Sequence, residues 1–319
     1  MPSLANAQSA SATTGEFQVP AGPTLQVGRQ RQLARTLLKR KTNELFRHLP
    51  SALTGDEEAI HQLRVASRRL RAAIPLLVEK PQGRRATRVR KLLQLLTRTA
   101  GSSRDLDVML TTLDHQLKTS AARTTEEGLL RRRLASARRR GKAKMVSSLL
   151  DLKISSLRND LAVLIARGGP PATVTYERFS ALVERDGQAL YEGFLAVGAR
   201  LDAKLLHGLR RQARRVRYAV EVFDQVRHYE SKASAPWKEL QELIGALHDH
   251  HVLAEWLEKQ GQSDQKRGNA DLAAEAMAQA DRARTSMHQC HGQFVAAAPV
   301  TLVIQGLTAL GFRSPAKPV

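Results

Sequence analysis

The chain has 319 residues, with 51 Lys and Arg against 30 Asp and Glu, and a formal net charge of +21 at pH 7. Hydrophobic residues make up 42% of it, too many for a disordered polycation and enough for a substantial core. Aromatics make up only 4% and Cys290 is the single cysteine, which argues against a large β-sandwich or barrel, a disulfide framework and a thiolate zinc cluster.

Residues 1–24 are polar and lack the basic start and apolar middle of a secretory signal, so they read as a disordered tail. From Leu25 to Leu49, Leu33, Leu37, Leu38, Leu45 and Leu49 recur at helical spacing. A second helical run spans 56–80, with Thr54 and Asp56 as candidate caps and Glu57 and Glu58 in the first turn, where they suit the helix dipole. Pro81-Gln82-Gly83 ends it, and further runs cover 84–99, 104–119 and 126–166. Gly168-Gly169-Pro170-Pro171 makes the strongest break in the chain. Beyond it, runs at 174–200, 203–229, 236–247, 249–260 and 270–296 follow, then an apolar stretch from Pro299 to Leu310 that reads as packed on the body or as an interaction tail. No run approaches the roughly 20 apolar residues that span a bilayer. The expectation is an all-α, soluble, cytoplasmic protein divided at 25–167 and 172–297, with 298–319 as a C-terminal tail. A charge excess of this size calls for a polyanion.

The sequence repeats. His61–Ala73 aligns without a gap on His207–Ala219, so that His61, Arg64, Arg68, Arg69 and Arg71 precede His207, Arg210, Arg214, Arg215 and Arg217 by 146 residues. Gly101–Val108 then aligns on Gly245–Val252 at an offset of 144. Two matches in one order mark a tandem duplication, each half a bundle of about four helices.

On a helical wheel with His61 at zero, Arg64, Arg68 and Arg71 fall near 300°, 340° and 280°, while Leu63, Ala66, Leu70 and Ile74 lie on the opposite side. The second copy repeats this, with His207, Arg210, Arg214 and Arg217 opposing Leu209, Val216 and Phe223. A solvated face would mix in acids at i,i+4 spacing, yet 61–73 and 207–219 contain none. Arg in place of Lys favours phosphate, because guanidinium forks hold its oxygens bidentately.

These residues, with Arg104-Asp105-Leu106-Asp107-Val108 between them, resemble the CHAD family, the conserved histidine α-helical domain, over about 26–296. The resemblance implies two pseudo-twofold-related four-helix bundles around a central basic cavity, and binding of inorganic polyphosphate without a cofactor; some members associate with polyphosphate granules. It implies a site of His61, Arg64, Arg68, Arg69 and Arg71 with His207, Arg210, Arg214, Arg215 and Arg217. Lys238 takes the family's basic position before the second Gly turn. The first half has Gln94 there and Arg98 a turn later. Arg104 fits as a ligand and His248 replaces it in the second half, with Asp105 and Asp107 as ion-pair partners that aim arginines.

Other readings are weaker. His248-Asp249-His250-His251 places consecutive side chains in different directions, unlike metal ligands on one helical face. Glu58-x-x-His61 lacks its second copy, because Lys204 stands where Glu58 would recur. No nucleophile recurs beside the histidines, and no carboxylate cluster could hold magnesium, so neither catalysis nor a resident metal is expected. The run Arg131–Lys144 spreads its bases around a helix and reads as solvated, while 84–91 would widen the basic lining. The rival partner is nucleic acid; against it, no aromatic lies in the first stripe and only Tyr218 sits beside the second.

Overall fold

The computed structural model describes residues 25–118, 124–227 and 233–315, apart from the side chains of 25–30 and 102–103. The expected tail at 1–24 lies outside the described residues. Among those described there are ten helices and no strand: α1 (Leu25–Leu53), α2 (Glu57–Leu77), α3 (Arg84–Lys118), α4 (Thr125–Leu150), α5 (Ile154–Ala166), α6 (Ala172–Val197), α7 (Ala203–Arg227), α8 (Ser234–Lys266), α9 (Ala270–Ala296) and α10 (Pro299–Thr308). The order repeats after five, with lengths of 29, 21, 35, 26 and 13 residues followed by 26, 25, 33, 27 and 10. The expected four helices per half are therefore five, because α5 and α10 each close a half.

Local chemistry starts these helices. Asp56 caps α2 by accepting a hydrogen bond from the Ala59 N–H at 2.7 Å. Thr124 and Glu127 form a reciprocal capping box at the start of α4. Gly168, at φ +78°, turns the chain out of α5.

Two expected breaks are absent. α3 runs unbroken through Gly101 and α8 through Gly245. A single Gly costs a helix only about 1 kcal/mol, less than the packing on both sides returns. Conversely, the expected run at 126–166 is interrupted at Asp151–Lys153, where no Gly or Pro marks the sequence.

Three cores result. One joins α1 and α2 to the first part of α3, the end of α4 and α5, around Leu38, Ile60, Leu63, Leu93 and Leu161. Another joins α6, α7, the first part of α8, the end of α9 and α10, around Phe179, Phe194, Val216, Trp237 and Val303. The Pro299–Leu310 stretch is thus packed into the body, with Gly306 lying against the Trp237 ring. The third core is shared: Met109, Leu113 and Leu117 of α3 and Leu130 and Leu134 of α4 meet Leu253 and Leu257 of α8 and Leu272, Ala276, Ala280 and Ala283 of α9. Inside it the Gln116 amide donates to the Gln279 carbonyl at 2.9 Å, and Gln279 in turn donates to Glu127 at 3.1 Å. No single described helix is long and apolar enough to cross a membrane.

Candidate anion-binding site

α2 buries Leu63, Leu70 and Ile74 in one core and α7 buries Leu209, Val216 and Val220 in the other, which the C-terminal end of α2 joins through Ala73, Leu76 and Leu77. Their basic stripes turn toward each other. Between them, and flanked by α3, lies a cavity of about 920 Å³ whose cationic lining is Arg68, Arg71, Arg90, Lys91, Arg98, Arg211, Arg214 and Arg215. No acidic side chain lines it. Among the described residues neither Arg68 nor Arg214 has an ion-pair partner.

Arg64 and Arg210, on the same stripes, each lie across one of the repeated glycines. Arg64 is buried and its Nη1 donates to the Gly101 carbonyl at 2.9 Å and the Ala100 carbonyl at 3.4 Å, while Asp105 stands 3.7 Å away. Its guanidinium lies across α3 where a Cβ on Gly101 would be 3.8 Å from Cζ. Arg210 lies across α8 in the same manner and closer, since a Cβ on Gly245 would be 3.1 Å from Nη2. The glycines are flat seats for arginines inside continuous helices, not turns.

The electrostatics are those of cations packed together with too few counter-charges. Burial and Arg68 lower Arg64 to about 10, and burial, Arg68 and Arg210 lower Arg214 to about 9. Arg71 is lowered by burial and by Arg68, Arg98 and Arg215; Arg210 is lowered by burial, partly offset by Asp249. An anion placed here would relieve repulsion that the folded chain now bears.

The histidines lie outside the cavity lining, near Arg64 and Arg210. The His207 and His248 rings lie 4.6 Å apart between centroids, and His207 Nδ1 is buried with no hydrogen-bond partner. Burial, then Arg210 and His207, hold His248 at about 4; burial and Arg211 lower His207; burial and Arg104 lower His61. In the unliganded protein burial first, and then their cationic neighbours, disfavour the charged form of all three. Asp249, whose burial raises its pKa, faces both Arg210 and Arg104.

Four expected site residues are placed differently. Arg69 points to Glu221 at 3.0 Å and Glu44 at 3.7 Å, beside the buried Lys41, whose amine is lowered to about 8 by burial and by Arg69. Arg217 pairs with the same Glu221 at 3.5 Å and lies over the Tyr218 ring, so the second stripe is one arginine shorter than the wheel implies. Arg215 reaches the cavity wall, but its Nε donates to buried Asp186 at 2.6 Å. Lys238 is exposed and pairs with Glu242 at 3.6 Å, away from the cavity lining. Asp107 does aim an arginine, Arg138 of α4, accepting from its Nε at 2.6 Å. Arg211 was missed because Val65 occupies its repeat position, so comparison of the two copies could not flag it. Part of the Arg131–Lys144 run is also neutralised, by Asp114, Asp264 and the Asp107–Glu57 pair. Among the described residues no three His, Cys, Asp or Glu side chains are grouped to hold a metal.

The CHAD domain family matches residues 36–258, well over half of the chain. The chain belongs to the CHAD domain family. Among solved structures, the CHAD domain from the plant Ricinus communis superposes with a TM-score of 0.54 at 20% identity, covering 90% of this chain and 93% of that one. PptA from Streptomyces chartreusis superposes with a TM-score of 0.58 at 17% identity, covering 82% and 98% respectively. A search of curated proteins finds no significant match. At these identities the two structures speak to the fold, and they agree with the all-α architecture. The CHAD match itself includes both basic helices and both glycine seats, and stops short of α9 and α10.

Proposed function

We propose that this CHAD protein binds inorganic polyphosphate in the cavity between α2 and α7 and does so without catalysis. The observation that carries the proposal is the acid-free lining, to which both halves contribute arginines that lack partners. A chain of phosphates supplies one negative charge after another at close spacing, and guanidinium forks grip such oxygens bidentately. The depressed arginines would return toward their ordinary values once an anion sat among them, so the electrostatic gain is concentrated at Arg64, Arg71, Arg210 and Arg214. Nucleic acid fits the lining less well. Its binding in single-stranded form draws on aromatic platforms, and the one aromatic lining the cavity, Tyr218, is only 5% exposed. Association with polyphosphate granules in the cytoplasm would follow from this binding.

The test is R68A/R214A, which removes two cations that have no ion-pair or hydrogen-bond partner among the described residues. Titration with long-chain polyphosphate should show at least a tenfold loss of affinity with unchanged helical circular dichroism. The parent's affinity should fall steeply with salt, as counterion release requires. Unchanged affinity in the variant, or clear preference for DNA or RNA at equal phosphate concentration, would overturn the proposal.

A further inference from the structure

α3 carries basic residues beyond the cavity. On the wheel of α3, the cavity-lining residues Thr87, Arg90, Lys91, Gln94, Thr97 and Arg98 occupy an arc of about 120°. Arg84, Arg88 and Arg85 continue the same rotation from Lys91, about 20°, 60° and 120° further round. These three face a separate cavity of about 620 Å³, formed by the start of α3, the 78–83 turn and the end of α5, with Lys80 and Arg167 completing its basic wall.

The geometry of this second cavity is held by a buried carboxylate. Asp160 of α5, 6% exposed, accepts from Arg88 Nε at 2.5 Å and Nη2 at 2.7 Å and from Arg85 Nε at 3.0 Å. One carboxylate thus fixes two forks at the wall and leaves them with a net positive charge. Arg84, Arg167 and Lys80 have no ion-pair partner among the described residues, and Glu79 is the only acid on the lining. No acid stands in the first turn of α3 to answer the helix dipole, and Gly83 before it offers no side-chain acceptor.

The sequence of this run does not repeat: at the 144-residue offset Arg84, Arg85, Arg90 and Lys91 correspond to His228, Tyr229, Ser234 and Ala235, and only Arg88 meets a base, Lys232. Arg84 lies about 10 Å along the axis from Lys91, seven residues at helical rise, close to a Debye length at physiological salt.

We infer that this pocket is a second phosphate-chain site, where a long polyphosphate leaving the main cavity past Lys91 is gripped again by Arg84, Arg88 and Arg167. The inference rests on the proposed function of the main cavity. It makes the protein selective for chain length: a short chain fills one site, whereas a long chain engages both, the second at high effective concentration.

The experiment compares tripolyphosphate with long-chain polyphosphate on four proteins: parent, R84E/R167E, R68A/R214A, and R139E/R140E, which makes the same charge change on the exposed face of α4. The expected result for R84E/R167E is at least a tenfold loss of long-chain affinity with tripolyphosphate affinity within about twofold of the parent, a differential well inside what bivalency supplies. R139E/R140E should lose markedly less. Long-chain affinity that ignores R84E/R167E, or falls equally in R139E/R140E, overturns the second site. Tripolyphosphate binding that ignores R68A/R214A overturns the main-cavity reading instead, so the two failures are distinct.

Discussion

The glycine seats support a quantitative prediction. Replacing a mid-helix Gly by Ala removes backbone entropy from the unfolded chain and is worth about 0.5–1 kcal/mol when the added methyl meets nothing. At Gly101 the new Cβ would be 3.8 Å from Arg64 Cζ, ordinary contact, so G101A should stabilise the protein by nearly that full amount. At Gly245 it would be 3.1 Å from Arg210 Nη2 and 3.6 Å from Cζ. The guanidinium must then shift by a few tenths of an ångström, and Arg210 Nε is buried without a hydrogen-bond partner to absorb the change. G245A should therefore lose most of the gain and fall within about 0.5 kcal/mol of the parent, the usual range for a compensated substitution. Urea denaturation followed by helical circular dichroism resolves a difference of this size, provided the slopes match. Polyphosphate affinity should fall several-fold in G245A and stay near the parent value in G101A. Equal stabilisation of the two variants would refute the seat, because it would mean that Arg210 does not lie on α8.

Three further outcomes follow from the structure. His248 is held at about 4, below its unfolded value near 6.5, so the unfolded chain binds more protons between those values and the ligand-free protein loses stability as pH falls through that window. A bound polyanion should raise His248, so calorimetry near pH 6 in buffers of different ionisation enthalpy should register proton uptake on binding, and H248Q should reduce it. G306A would bring a methyl within 2.5 Å of the Trp237 ring and should destabilise by about 1–3 kcal/mol, the range for overpacking, measured by the same denaturation.

The all-α class and the basic stripes of α2 and α7 could be read from the chain because helical periodicity is a local signal. Arg64, Arg68 and Arg210 stand where the wheel puts them. The failures have two causes: Arg217 and Lys238 are taken by acids one turn further along their own helices, and Arg69 and Arg215 by acids distant in sequence. Glu221 stands one helical turn beyond Arg217, a pairing legible as i,i+4 spacing, whereas nothing near Arg69 in the sequence assigns it to Glu221 of α7; that depends on how α2 packs against α7. Asp186, on α6, takes the Nε of Arg215 for the same reason. The glycines misled because a helix-interior Gly and a turn Gly look alike in one sequence, and only the arginine lying across each distinguishes them. The division at 151–153 went unseen because the chain turns there on ordinary residues, Asp151 capping through its own N–H to the Ser147 carbonyl.

The shared third core bears on how such a chain could have arisen. A half-length protein ending after α5 would leave Met109, Leu113, Leu117, Leu130 and Leu134 in water, a surface the present chain covers with the matching face of α8 and α9. The simplest cover for that surface, before duplication, is a second identical copy related by a twofold axis, with equivalent helices meeting their own counterparts. Fusion of two such copies would convert an association that depends on concentration into an intramolecular one. It would also release the two arginine stripes from the requirement of being identical, and the cationic run at the start of α3, without an equal at Ser234 and Ala235, is the kind of divergence a homodimer could not keep on one side only.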